Sequence, residues 1–105
     1  MSAEKHYQQL TQLLVENKNV ASSQMFGKPC LKVKGKAFLA LHKTTLVFKL
    51  SGDSHKLALA QKGAVLWDPS GKGRPMKEWV AIPAENLSDA TALAKQALDY
   101  VAESA

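Results

Sequence analysis

The residues with the clearest chemical potential gather in one stretch, Asp68-Pro69-Ser70-Gly71-Lys72-Gly73-Arg74-Pro75-Met76-Lys77-Glu78-Trp79. It contains the only arginine and one of the two tryptophans, so a segment with free backbone carries fixed positive charge beside an aromatic ring. Lys72, Arg74 and Lys77 would meet an anionic partner by charge. Trp79, two residues beyond Lys77 on the same strand face, would add stacking or a cation–π contact. The segment is not a P-loop. It lacks the Gly-Lys-Ser/Thr ending, and a strand is predicted to follow it, so no helix N-terminus would face the anion. The same stretch reads equally as a plain turn joining two strands, with both tryptophans in the core.

Other reactive side chains form no recognisable constellation. His6, His42 and His55 are far apart, and none has a carboxylate or cysteine at metal-ligand spacing. Cys30 opens a predicted strand and reads as a buried structural thiol. No serine stands in a Gly-x-Ser-x-Gly elbow, and Asp53, Asp68 and Glu78 read as helix-end, turn or surface acids. The expectation is a protein without catalytic residues, metal or cofactor.

A chain of 105 residues is long enough for one modest core, and residues 1–105 are read as a single domain. The formal charge of +5 comes from lysine rather than arginine, and lysine is a hydrated point charge poorly suited to bidentate reading of bases. A lone cysteine and an N-terminal stretch with Glu4, Lys5, Gln8 and Gln9 predict a cytoplasmic protein. Apolar runs such as Ala37-Phe38-Leu39-Ala40-Leu41 are too short to span a bilayer.

Periodicity predicts a helix over 3–17, strands over 30–33, 36–41 and 45–50, and a helix from Ser51 to Gly63 anchored by Leu57 and Leu59. Strands over 64–67 and 76–82 and a last helix capped by Ser88 follow. Residues 17–24 are polar and read as a loop. The order α-βββ-α-ββ-α is that of an α+β domain with a mostly antiparallel, five-stranded sheet and helices on one face. With two-residue turns at Lys34-Gly35 and after Leu41, Ala37, Leu39, Leu41, Leu46, Phe48 and Leu50 share the helix-covered face. Leu31, Val33, Lys36, Phe38, Val47 and Lys49 then share the other face, expected to be bare and open to a partner.

Four stretches together resemble the TfoX N-terminal domain family: Met25-Phe26-Gly27, Lys34-Gly35-Lys36-Ala37-Phe38, Leu46-Val47-Phe48-Lys49-Leu50 and Gly71-Lys72-Gly73-Arg74-Pro75-Met76. The wider YjbR-like group is similar in layout. The resemblance runs from about residue 24 to the C-terminus. It implies a small secretion-chaperone-like α+β fold and a bacterial regulatory role of the kind TfoX proteins play in natural competence, with DNA binding proposed for YjbR-like domains. It brings no catalytic residues.

Two readings follow. One is a regulatory or adaptor domain that contacts nucleic acid weakly and electrostatically through Lys28, Lys72, Arg74, Lys77 and Trp79. The other is a protein-binding or homodimerising module that uses the lysine-laced sheet face. A small-molecule cleft beside the glycine-rich loop is a third reading.

Overall fold

The computed structural model describes residues 2–68, 73, 76–87 and 89–104. Helix α1 (Ala3–Leu14) starts where the Ser2 hydroxyl accepts the Lys5 N–H at 3.2 Å, with Glu4 in the electropositive first turn. It buries Leu10 and Leu14 and stops three residues short of the expected end. Asn17 is the reason: its side chain accepts the Asn19 N–H and its carbonyl accepts the Val20 N–H, turning the chain into a strand.

That strand, β1 (Val20–Met25), falls where a loop was expected. Val20 alone is buried along it, so the strand lacks the apolar alternation that would reveal it. Strands β2 (Lys28–Val33), β3 (Lys36–His42) and β4 (Thr45–Lys49) follow through tight hairpins. Phe26-Gly27 and Lys34-Gly35 each place both turn residues at left-handed φ, the pattern of a type I′ turn whose twist suits the flanking strands. Helix α2 (Gly52–Leu59), β5 (Val65–Trp67), β6 (Met76–Pro83), a short 3-10 turn (Ala84–Asn86) and α3 (Ala90–Ser104) complete the order. The domain is α+β as expected, but its antiparallel sheet has six strands, in the order β1-β2-β3-β4-β6-β5. No helix among the described residues is long and apolar enough to cross a membrane.

Helix α3 lies across β2, β3 and β4, with α1 beside it and α2 against β6. Leu93, Ala94, Ala97, Leu98 and Val101 of α3 share a core with Leu39, Leu46, Phe48 and Leu50, and Leu41 packs at its edge. Five of the six residues expected beneath the helices therefore lie there, while Ala37 falls on the opposite face. In α2 the buried residue is Ala58, and Leu57, expected as an anchor, is 66% exposed. The inward stripe of this short helix passes through Ser54, His55, Ala58 and Leu59, which leaves Leu57 on the wet side.

The face assignment of β2 is corrected by one residue. Leu31 pairs with Leu39 and Lys32 with Ala37, so Phe38 is the extra residue of a β-bulge. The bulge lets consecutive Phe38 and Leu39 both enter the helix-side core and shifts β2 by one step relative to β4. Leu31, Val33 and Phe38, expected on a bare face, are therefore fully buried under the helices. Lys36 is exposed at its hairpin end, while Lys49 is half-buried.

The opposite face is not bare either. Cys30, Ala40, Val47 and Ala81 stand side by side across four strands, giving a floor of small side chains. Trp67 and Trp79 pack on that floor with centroids 5.5 Å apart, and Met25, Ala37 and Met76 close the edges of the cluster. Val47 is completely buried, as are Cys30 and Ala40. Burial pushes the Cys30 thiol above its ordinary pKa, partly offset by Lys32, so it stays protonated and inert.

Candidate functional site at the Trp67 rim

Trp67 is where distant parts of the chain meet. Its ring lies edge-on to Phe26 of the β1–β2 turn (6.1 Å, 68°) and to His42 at the end of β3 (5.9 Å, 71°). Its indole N–H donates to His42 Nδ1 at 2.7 Å, which satisfies the one polar atom of a nearly buried indole. A donor can only be received by an unprotonated nitrogen, so the neutral ring of His42 keeps its proton on Nε2. Burial, then Lys28, then Lys43 hold the His42 pKa below its ordinary value.

Two open clefts share His42 and Lys43 as a dividing wall. One, of about 460 Å³, is lined by Glu4, Gly27, Lys28, Pro29 and Leu41 in addition to the wall. The other, of about 290 Å³, runs over Thr45, Val65, Trp67, Asp68 and Ala81. Lys43 holds a left-handed φ of 56° at the tip of the β3–β4 turn and is exposed. Lys28 Nζ lies 3.4 Å from the Phe26 carbonyl, across the base of the hairpin turn.

Phe26 is the unusual residue of this rim. It is 61% exposed, and it takes φ +54° at a turn position that favours asparagine, aspartate or glycine. A bulky aromatic in that conformation is strained, and strain of this sort concentrates where a side chain must be presented.

Of the contact residues expected from the sequence, Lys28 joins this rim. Lys77 is exposed on β6, and its carbonyl accepts His55 Nε2–H at 2.7 Å. Next to it, the Tyr100 hydroxyl donates to the Glu78 carboxylate, and this bond raises the phenol's pKa. Trp79 is 4% exposed and belongs to the second core, which removes it from any outward contact set. Lys72 and Arg74 lie outside the described residues. Gly73 is described, and its N–H donates to Asp68 Oδ2 at 2.8 Å, tying the glycine-rich stretch to the exit of β5.

Phe26, His42, Lys43 and the hub role of Trp67 were absent from the sequence-based contact set. The exposed Phe26 had a legible signal, a Phe-Gly pair in a two-residue turn. The His42–Trp67 bond had none, because 25 residues separate its partners and no spacing rule connects them.

These features define a small α+β domain, an open antiparallel sheet with helices on one face and a tryptophan cluster on the other. The chain belongs to the TfoX N-terminal domain family, whose model matches residues 9–103. No curated protein and no solved structure matches it. The stretches that carried the resemblance meet in space: Met25, Ala37, Val47 and Met76, one from each, belong to the tryptophan cluster.

Proposed function

We propose that this domain is a non-enzymatic regulatory module that binds single-stranded nucleic acid at the rim formed by Phe26, Lys28, His42 and Lys43. The supporting observation is the exposed Phe26 ring, held in a strained turn against Trp67 beside two lysines. A base stacks on the free face of Phe26, and the phosphates on either side are neutralised by Lys28 and Lys43. His42 Nε2–H, whose tautomer is fixed by Trp67, adds a neutral donor for a phosphate oxygen. The lysines supply charge without bidentate geometry, so binding discriminates little between sequences.

Fluorescence anisotropy with a labelled single-stranded oligonucleotide at low and physiological salt tests this reading. Binding in the micromolar range at low salt, fading steeply with added salt, is the expected result. No change in anisotropy at tens of micromolar protein in low salt removes nucleic acid as the partner.

A further inference from the structure

β1 forms one edge of the sheet, and it lacks the features that usually protect an edge. Between Asn19 and Gly27 there is no charged residue, no proline and no register shift against β2. The other edge, β5, is only three residues long and is broken by an irregularity against β6 after Leu66.

The pairing register fixes which β1 groups are free. Met25 and Lys28 flank a two-residue turn, so Met25, Ser23 and Ala21 exchange hydrogen bonds with β2. Val20, Ser22 and Gln24 then direct their backbone groups outward. The Val20 N–H, pointing this way, is taken by the Asn17 carbonyl. Ser22 and Gln24 are exposed, and their outward N–H groups meet no acceptor among the described residues.

We infer that β1 pairs antiparallel with β1 of a second copy about a twofold axis at Ser22, joining the two sheets into one. In this register Ser22 faces Ser22, Val20 faces Gln24 and Ala21 faces Ser23 of the other copy. About four backbone hydrogen bonds form, because the Val20 N–H is already occupied. Small side chains permit the approach, and no like charges oppose one another. The register selects the occupant: a twofold at Ser22 lets the outward Ser22 and Gln24 N–H groups of each copy meet Ser22 and Val20 carbonyls of the other. Because β1 is uncharged, this pairing sets no lysine opposite a lysine despite the net charge of +5. This interface is separate from the Phe26 rim and stands independently of nucleic-acid binding.

The register is read by Ser22→Cys in the full chain. A hydrogen-bonded antiparallel pair sets the two Cα atoms about 5.5 Å apart, inside disulfide range, and the native Cys30 is buried. Mild oxidation yields a disulfide dimer from Ser22→Cys at least about tenfold faster than from Lys18→Cys or Glu103→Cys. Equal rates at the three positions indicate random collision and overturn the inference. Sedimentation velocity across a concentration series supplies the second arm. Ser22→Pro removes only an outward N–H, and Ser22→Lys sets two cations face to face, so both keep the fold by circular dichroism and abolish a concentration-dependent rise in sedimentation coefficient. Wild-type protein that sediments as a monomer at several hundred micromolar, or variants that associate like wild type, contradict the pairing.

Discussion

Trp67 donates its indole N–H to His42 Nδ1 at 2.7 Å, and that bond joins the entry to the glycine-rich stretch to the β3–β4 turn. It exists only while Nδ1 is unprotonated. The folded His42 has a depressed pKa, so the unfolded chain takes up the proton first as pH falls. The stabilisation is therefore complete above the unfolded histidine value of about 6.5 and is lost as pH drops through it towards the lower folded pKa. Thermal melts from pH 7.5 to 5 should show a falling Tm. His42→Asn, whose amide oxygen accepts the indole N–H without titrating, should show a flatter profile. Identical slopes in the two proteins would dismiss the coupling.

Replacing Phe26 with asparagine separates presentation from folding. Asn-Gly suits a type I′ turn, so relief of left-handed strain, about 1 kcal/mol, offsets the lost aromatic contact with Trp67. Chemical denaturation of Phe26→Asn should give a stability within about 1 kcal/mol of wild type. Base stacking is worth about 1–3 kcal/mol, so oligonucleotide affinity should fall by about fivefold or more. Stability unchanged and binding unchanged would mean that the ring touches no base.

Val47 distinguishes a covered sheet face from a bare one. On a solvent-facing strand Val47→Ala would change stability by less than about 0.5 kcal/mol. Beneath Trp67 and Trp79 it removes buried methyl groups and leaves a void, costing about 2 kcal/mol. The urea midpoint of this single variant reads the difference.

Two glycines separate conformational strain from crowding. At Gly63, φ is +79° and an added Cβ would come within 2.9 Å of Pro83 Cγ. Gly27 has a similar φ of +74° with open space around it. Gly27→Ala should therefore cost about 1 kcal/mol from backbone strain alone, and Gly63→Ala about 2–3 kcal/mol. Equal shifts in denaturation midpoint would show that Pro83 gives way freely.

The sequence is legible where burial is one-sided and periodic. The Lys34-Gly35 turn, the Leu39/Leu46/Phe48 face and the α3 stripe all follow from spacing, and all are found. β1 is hidden because an edge strand buries little, so Val20–Met25 carries no alternation. The bulge at Phe38 is hidden because both phases of β3 are apolar, and a pattern without polar residues cannot fix its own register. From that one step came the misplacement of Leu31, Val33 and Phe38. The candidate site was only partly readable. Lysines announce themselves by charge, but a hub such as Trp67 acquires its role from partners 25 and 41 residues away.

If the Phe26–His42 rim is the working surface of this domain, amide chemical-shift mapping of the labelled protein during titration with a single-stranded oligonucleotide reads it most directly. The largest shifts should fall on Phe26, Gly27, Lys28, His42 and Lys43, with the Trp67 indole N–H responding through His42, while α3 and β1 stay still. Shifts centred on α3 or on β1, with the rim unmoved, would contradict it.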